Sequence, residues 1–341
     1  MVRLLSGEAV RDLVDLEEML SVIDEAFERQ RQGAVERPDR PHFPVGIDLP
    51  LNTDTPAPET ENGERGGSDP AGTALVMPAY IHGEEHYATK LVSVHDANPS
   101  RGLSTVNAQI AVNDAETGLP RAFMDGTYIT AARTSCIGGL TARELAAEPV
   151  TLAIIGAGMQ GRWQARAIAT AVSVEEIRVW DIDPETATEA VAELDGELDA
   201  AVGTADSAAD AVRAASMIVT ATTSPRPVFD GEDLRPGATV VGIGAYTPEM
   251  QELDKTTFSV AARVFADVPE EVAEIGDIQE AGLSASDLDP FADLLSGDVG
   301  RETDEEVIVV ESVGSAVMDA AAAQYVYRRA VEADAGLEYT I

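Results

Sequence analysis

The spacing of apolar residues divides the chain into two regions of different character. Residues 7–32 predict one amphipathic helix ending at Gly33, because apolar residues recur at helical spacing with acids between them. Residues 48–72 are rich in Pro, Gly and acids without periodicity and predict a surface loop. Strands are predicted over residues 74–81, 86–94, 109–113 and 121–124. This first region is predicted to be α+β with a largely antiparallel sheet.

The second region alternates apolar strands with helices. It begins with a predicted helix over residues 128–147, which is rich in small residues. Strands follow over residues 150–155, 177–182, 217–221, 239–243, 264–266 and 307–311, with helices over 159–171, 184–195 and about 315–333. This alternation is typical of a parallel sheet covered on both faces. The fold prediction is therefore α/β, with a doubly wound domain over 128–314 and an α+β domain over 1–127 and 315–341.

The composition indicates a folded protein with an acidic surface. A chain of 341 residues that is 45% hydrophobic is long enough for two apolar cores. Its 23 basic and 61 acidic residues give a formal net charge of −38. That charge excludes nucleic acids and anionic membranes as natural partners. Lys90 and Lys255 are the only lysines, and this bias together with the acid excess resembles cytoplasmic proteins of salt-accumulating halophiles.

The cysteine count and the N-terminal sequence predict a cellular location. Cys136 is the single cysteine, which excludes an internal disulfide and a thiolate zinc cluster. No run of apolar residues approaches 18, and acids such as Glu8 and Asp12 stand where a signal peptide would need a long apolar stretch. We therefore predict a soluble protein of the cytoplasm.

A glycine motif lies between the first apolar strand of the second region and the helix after it. Gly156-Ala157-Gly158-Met159-Gln160-Gly161 fits G-x-G-x-x-G, whose backbone N–H groups can face a pyrophosphate at the start of a helix. Asp181 follows at the end of the next strand, where a carboxylate accepts ribose hydroxyls and repels a 2′-phosphate. No Arg or Lys lies in residues 182–188. The motif predicts a Rossmann-type domain that binds NAD in preference to NADP; a tight turn that binds nothing is the alternative.

Several ordered motifs along the chain resemble the ornithine cyclodeaminase/μ-crystallin family. In the first half they are Lys90-Leu91-Val92-Ser93-Val94, Gly102-Leu103-Ser104-Thr105-Val106, Thr117-Gly118-Leu119-Pro120, Met124-Asp125-Gly126 and Thr130-Ala131-Ala132-Arg133-Thr134. Later ones are Gly244-Ala245, Pro248, Gln251-Glu252-Leu253-Asp254 and Ser312-Val313-Gly314-Ser315-Ala316. The resemblance implies a homodimer with a substrate and dimerisation domain and a Rossmann domain for the nicotinamide cofactor. It also implies chemistry at the C2–N bond of an amino acid or its imine.

The resemblance assigns candidate site residues. It places Arg40, Lys90 and Arg133 around the substrate carboxylate, and arginine suits that role because its planar donors bind carboxylates in pairs. An ordinary ion pair is the alternative for Arg40 and Arg133. The cofactor residues that it implies, besides the glycines and Asp181, are Thr105, Arg133, Met159, Gln160, Thr222, Thr223 and Ser312. Turn or cap roles are the alternative for the polar residues among them.

Lys90 is also the predicted catalytic residue. A chain that uses arginine for almost every cation keeps this lysine inside an apolar strand. Burial and neighbouring arginines can lower the pKa of a lysine, so that it gives or takes a proton near neutral pH, which a guanidinium cannot do. A lysine at a strand edge reaching solvent is the alternative. Lys255, after an acidic run, is predicted to be structural.

One position departs from the family pattern. In this resemblance, the family members that deaminate ornithine carry an aspartate directly after Gly-Ala or Gly-Gly, and so does the archaeal alanine dehydrogenase. This chain has Tyr246 at that position. A neutral phenol cannot replace a carboxylate that holds an ammonium group or activates water, and Glu249 or Glu252 would have to substitute. The four histidines, His42, His82, His86 and His95, form no metal-binding spacing, so no metal site is predicted.

Three functions are compatible with the sequence. The leading hypothesis is an NAD(P)-dependent oxidoreductase that moves hydride to or from C2 of a small amino or imino acid. An ornithine cyclodeaminase, which forms proline and ammonia with NAD as a catalytic cofactor, is the second. A cofactor-bound ligand carrier without turnover is the third. A small amino or imino acid and a second copy of the chain are the predicted partners.

Overall fold

The computed structural model describes residues 1–47, 49, 70–95, 97–98 and 101–340. Most of the predicted surface loop over 48–72 lies outside these residues. The chain forms two compact units. The first unit contains residues 1–13, 35–130 and 323–341, and the second contains residues 14–34 and 131–322. The roles predicted for the two domains, substrate binding with dimerisation and cofactor binding, stay predictions.

The elements are numbered in chain order. The strands are β1 Val2–Leu5, β2 Val35–Glu36, β3 His42–Val45, β4 Gly72–Ile81, β5 His86–Val94, β6 Val106–Asp114, β7 Pro120–Asp125, β8 Val150–Ile155, β9 Val174–Trp180, β10 Ala201–Thr204, β11 Met217–Thr220, β12 Thr239–Gly242, β13 Ala261–Ala266, β14 Asp289–Pro290, β15 Val307–Glu311 and β16 Leu337–Tyr339. The helices are α1 Gly7–Leu13, α2 Leu16–Arg31, α3 Gly126–Leu145, α4 Met159–Ala171, α5 Pro184–Asp195, α6 Ala208–Ala214, α7 Lys255–Val260, α8 Pro269–Val272, α9 Gly276–Ala281, α10 Phe291–Leu295 and α11 Ala316–Glu332.

The prediction of one continuous helix over residues 7–32 was wrong, because the segment forms two helices, α1 and α2. Asp15 is extended and caps α2, because its side chain accepts a hydrogen bond from the N–H of Glu18 at 3.1 Å. The apolar face of α2 belongs to the core of the second unit. Phe27 meets Phe291 of α10 edge to face, with ring centroids 5.1 Å apart.

The first unit contains a sheet in the order β16-β1-β7-β6-β5-β4-β2, with β3 also paired to β4. Its pairs are antiparallel except β1 with β7, which confirms a largely antiparallel sheet. Side chains alternate between two faces, so Ala88, Lys90 and Val92 of β5 are buried while Leu91 is exposed. The sheet therefore has one covered face and one outer face.

The second unit contains an eight-stranded sheet in the order β10-β9-β8-β11-β12-β15-β13-β14. Its pairs are all parallel, and every residue of β11, β12 and β15 is buried. This confirms the doubly wound, Rossmann-type prediction. The strand order reverses between β8 and β11, and the crevice outside the carboxyl ends of strands at such a reversal is where open α/β sheets bind ligands. Among the described residues, no helix is long and apolar enough to cross a membrane.

Candidate active site

The carboxyl edge of the parallel sheet brings together most of the residues that the sequence predicted for the cofactor. The glycine motif follows β8, Asp181 follows β9, Thr222 and Thr223 follow β11, and Ser312 follows β15. These residues are far apart in the chain, but parallel strands end at one edge of their sheet. The predicted cofactor residues of the second unit, apart from Arg133 in α3, therefore lie along one edge.

The three positions of the motif require glycine for different structural reasons. Gly156 has φ +98°, and a Cβ there would lie 2.6 Å from the carbonyl oxygen of Ala221. A Cβ on Gly161 would collide with the carbonyl of Gly156. Gly158 is different, because a Cβ there would meet no atom within 4 Å. Gly156 and Gly161 are needed for packing, whereas Gly158 leaves open space.

That open space lies at the start of α4. Gly158 is the N-cap of this helix and offers no side chain to its first N–H groups. Uncapped N–H groups at the positive end of a 13-residue helix suit a pyrophosphate. Nearby, Gln160 Oε1 is buried and has no hydrogen-bond partner among the described residues. The geometry of the loop, and not only its sequence, therefore fits a dinucleotide.

Asp181 holds the glycine loop as well as facing the crevice edge. Its Oδ2 accepts a hydrogen bond from the N–H of Ala157 at 2.7 Å, and its Oδ1 accepts one from the N–H of Asp183 at 2.9 Å. A carboxylate has about four acceptor positions, so two remain for ribose hydroxyls. Asp181 therefore has a structural function that the sequence did not indicate.

Two of the predicted cofactor residues are bound to buried acids. Thr222 donates from its N–H and its hydroxyl to Glu252, at 2.6 and 2.7 Å. The hydroxyl of Ser312 donates to Asp267 at 2.7 Å. Each hydroxyl keeps lone pairs that can accept a further bond. Their role toward a cofactor stays a prediction, as do the roles of exposed Met159 and Thr223.

Glu252 belongs to the framework of this edge. It is buried and also accepts hydrogen bonds from the hydroxyl of Thr220 at 3.0 Å and the N–H of Gly244 at 2.7 Å. It thereby ties the loop after β11 to the loop after β12. Glu249, the other acid considered as a substitute for the missing aspartate, is exposed. Tyr246 is partly buried against the apolar core of the second unit.

A cluster of buried acids lies beside Glu252. Asp277 accepts hydrogen bonds from the N–H groups of Glu252 and Leu253 at 2.7 and 2.8 Å. Burial, with the negative charge of Glu252, raises the pKa of Asp277 to about 7. Burial and the charges of Asp277, Glu252 and Asp267 raise the pKa of Glu311 well above its usual range. The cluster therefore keeps its protons to a higher pH than ordinary carboxyl groups do.

Arg133 is 4% exposed and lies in a buried ion pair within the second unit. Its Nε donates to Oδ1 of Asp319 at 2.9 Å. Its guanidinium lies against Gly314, where a Cβ would be 2.7 Å from Nη1 and 2.8 Å from Nη2. Asp267 fixes that glycine by accepting its N–H at 2.7 Å. Asp319 was missed by sequence reasoning, although an acid among the small apolar residues at the start of α11 was an available signal.

The first unit holds the other three predicted residues. Lys90 lies in β5 opposite Met77 and Ile110 and is 2% exposed, so the alternative of a lysine reaching solvent is wrong. Arg40 is half-buried in the irregular segment before β3. Thr105 is half-buried before β6, and its carbonyl accepts a hydrogen bond from the N–H of His95 at 2.9 Å.

Three of the four histidines have local partners. His82 Nε2 lies 2.9 Å from Glu36, His95 Nδ1 lies 3.0 Å from the carbonyl of Ala71, and the ring of His86 meets Tyr327 edge to face. Within the described part of the chain, no group of three or more His, Cys, Asp or Glu side chains could hold a metal ion.

A family model and a curated relative both match most of this chain. Residues 55–334 match the model of the ornithine cyclodeaminase/mu-crystallin family. The chain is 34% identical over 272 residues to a Δ1-pyrroline-2-carboxylate reductase of Bacillus cereus, covering 77% of this chain and 83% of that protein.

Solved structures resemble the chain over its whole length. One is the Δ1-pyrroline-2-carboxylate reductase of Thermococcus litoralis in complex with NADH and L-proline, with a TM-score of 0.89, 30% identity, and coverage of 99% of this chain and 100% of that one. Another is an archaeal alanine dehydrogenase dimer with bound NAD, with a TM-score of 0.85, 27% identity, and coverage of 99% of both chains.

Proposed function

Because the chain belongs to the ornithine cyclodeaminase/mu-crystallin family, we propose that it is an NAD-dependent oxidoreductase acting at C2 of a small amino acid or its imine. Within that class we propose the reduction of a cyclic imino acid, such as Δ1-pyrroline-2-carboxylate, to the amino acid. The reductases of Bacillus cereus and Thermococcus litoralis support this substrate class.

The observation that carries the proposal is the crevice edge after β8 and β9. An uncapped helix start at Gly158, the glycine packing of the loop and the carboxylate of Asp181 together fit a dinucleotide without a 2′-phosphate. Bound NADH supplies the hydride. We propose that Met159, Gln160, Thr105, Arg133, Thr222, Thr223 and Ser312 complete the cofactor site.

Cations of this chain would hold the substrate. We propose that Arg40, Lys90 and Arg133 bind its carboxylate. Arg133 suits this because Asp319 engages its Nε, while no hydrogen bond from its Nη atoms is seen within the described residues. Nζ of Lys90 would give the imine nitrogen its proton as the carbon accepts hydride, and would take it back in the reverse direction. Tyr246 supports imine reduction over ornithine deamination, because a neutral phenol cannot act as the carboxylate of the cyclodeaminase pattern.

The test is a substrate panel followed by nicotinamide absorbance at 340 nm. We expect NADH oxidation with five- or six-membered cyclic imino acids, and slower oxidation with pyruvate plus ammonia. Ammonia and proline formed from ornithine without net change in NADH would instead establish the cyclodeaminase. Binding without turnover across the panel would establish a ligand carrier.

Asp181 should set the choice between NAD and NADP. We expect Asp181→Asn to weaken NAD binding by about tenfold, the effect of one charge-assisted hydrogen bond, and to strengthen NADP binding. Asparagine is the better test than alanine because its carbonyl can still accept the N–H of Ala157. Calorimetric titration with both cofactors measures the change. If the unmodified protein already preferred NADP, this interpretation of Asp181 would be wrong.

We propose that the functional form is a homodimer built on the outer face of the first unit's sheet. Leu337, Leu4, Phe123, Ala111, Thr89 and Pro78 are successive cross-strand neighbours on that face. None is charged, which suits contact between copies that each carry a formal charge of −38. The archaeal alanine dehydrogenase dimer supports the stoichiometry.

The dimer proposal predicts a mutation effect. Phe123, 45% exposed in this row, should be intolerant of charge, so Phe123→Glu should give a monomer in sedimentation experiments. Ile182→Glu, at an 89% exposed position of the second unit, should stay dimeric. A dimeric Phe123→Glu variant would place the interface elsewhere.

We also propose a cytoplasmic protein of a salt-accumulating organism. The support is the charge of −38 with two lysines among 23 basic residues. In molar salt the Debye length is about 3 Å, against about 30 Å at 0.01 M, so dilution should expose the like charges to each other. We expect the melting temperature to fall by several degrees or more between molar and low salt. An unchanged melting temperature would remove the halophilic interpretation.

A further inference from the structure

Arg162 and Asp181 hold the same residue of the glycine loop from opposite sides. Asp181 accepts the N–H of Ala157 at 2.7 Å, while Nε of Arg162 donates to the carbonyl of Ala157 at 3.0 Å. Nη2 of Arg162 also approaches the carbonyl of Thr186, in the first turn of α5, at 3.5 Å. The guanidinium therefore lies where the glycine loop meets the first turn of α5, and it shares Ala157 with the carboxylate that is proposed to select NAD.

The charge of Arg162 is already compensated by acids of α5. Nη1 donates to Oε2 of Glu193 at 2.5 Å, and Nη2 lies 3.8 Å from Glu189. The other oxygen of Glu193 binds Arg166, which Glu197 also holds at 2.7 Å. Two arginines thus face three glutamates, so the group as a whole is acidic. The side chain of Arg162 is 21% exposed, so water screens the pair with Glu193 only in part.

The contacts of Arg162 affect whether it can bind the 2′-phosphate of NADP. Rossmann domains that accept NADP place an arginine near the ribose, because its planar donors bind phosphate in pairs. This chain has Arg162 between the glycine loop and α5, but its donors are directed to the Ala157 and Thr186 carbonyls and to Glu193. The absence of Arg or Lys from residues 182–188 is therefore only one of two reasons why NADP is disfavoured.

We infer that Glu193, assisted by Glu189, is a second determinant of cofactor choice, which withholds the Arg162 guanidinium from a 2′-phosphate. The inference rests on the proposed use of NAD. It predicts that removing the repelling charge of Asp181 gives only part of the possible gain in NADP affinity. The rest requires that Arg162 be released.

The test measures dissociation constants of NAD and NADP for the full chain without substrate. The background is Asp181→Asn, and the second change is Glu193→Gln, which keeps the shape of the side chain but removes the charge that holds the Arg162 guanidinium. We expect the double variant to bind NADP about tenfold more tightly than Asp181→Asn alone, the effect of one charge-assisted hydrogen bond. The gain should shrink as salt is raised, because the new contact is ionic.

Glu197→Gln in the same background is the matched control. It removes an equal charge from the same group but leaves the pair between Arg162 and Glu193 intact, so NADP affinity should stay within about twofold of Asp181→Asn. If Glu193→Gln weakens the fold in a melting experiment, Glu189→Gln provides a second route, with a smaller gain expected in the same direction. Equal gains from Glu193→Gln and Glu197→Gln, or no gain from Glu193→Gln and Glu189→Gln while NAD still binds, would overturn the inference. Failure of the unmodified protein to bind either cofactor would overturn the proposed function instead.

Discussion

Replacing Lys90 with arginine should lower kcat by at least about 100-fold while NAD affinity stays nearly unchanged. The lysine is buried on the covered face of its sheet, opposite Met77 and Ile110. Arginine keeps the positive charge that holds a carboxylate, but it has no practical neutral form and so cannot exchange a proton. The variant thereby separates charge from proton transfer. Steady-state kinetics and cofactor titration measure the two quantities.

Lys255→Arg is the matched control, because Lys255 is the other lysine and is exposed at the start of α7. It should retain full turnover. Since arginine is larger than lysine in a buried position, a second variant, Lys90→Ala, should be inactive and partly rescued by added small amines. If Lys90→Arg kept near-normal kcat and changed only KM, Lys90 would be a carboxylate anchor, and the proton would come from another group or from water.

The buried acid cluster should make the protein less stable as the pH rises from about 4 to above 7. Asp277 has a pKa of about 7 in the folded protein, against about 3.9 when unfolded. The folded state therefore binds the proton more tightly, so this stabilisation is complete below about pH 4 and is lost as the pH passes 7. Glu311, whose pKa is also raised, extends the loss to higher pH.

Glu311→Gln should remove part of that pH dependence. Glutamine resembles the protonated side chain, and Glu311 Oε1 has no hydrogen-bond partner among the described residues. We expect the variant to be more stable than the unmodified protein above pH 7 and similar to it at pH 5, as measured by denaturant unfolding across pH. Glu305→Gln, at an exposed position before β15, should leave the difference between pH 5 and pH 8 unchanged. A Glu311→Gln variant as pH-sensitive as the unmodified protein would contradict the account of the cluster.

Local sequence signals predicted much of the second unit closely, although strands β10 and β14 were missed. The predicted bounds of β8, α4, α5 and β15 agree with the structure, because fully apolar strands and amphipathic helices are specified by nearby residues. The first unit was predicted less completely. Strands β1 and β16 were missed, since each is short and is fixed by pairing between the two ends of the chain, Val2 with Tyr339 for example.

The candidate site residues could be named from the sequence, but the contacts between them could not. The glycine motif, Asp181, Lys90 and Arg133 were identifiable from residue type and order. Their partners Asp319 and Glu193 are distant in sequence or resemble ordinary helix-surface acids. Asp267, Asp277 and Glu311 are buried with Glu252 only in the folded protein. A short stretch of sequence therefore could not predict their burial.

Transfer of deuterium tests the central claim most directly. The unmodified protein is given Δ1-pyrroline-2-carboxylate and NADH deuterated at both C4 hydrogens, and the product is analysed by mass spectrometry and NMR. The account predicts proline with one deuterium at C2, formed in equal amount to the NADH consumed. Unlabelled proline, or formation of proline from ornithine with NAD unconsumed and no reduction of any cyclic imino acid, would contradict it.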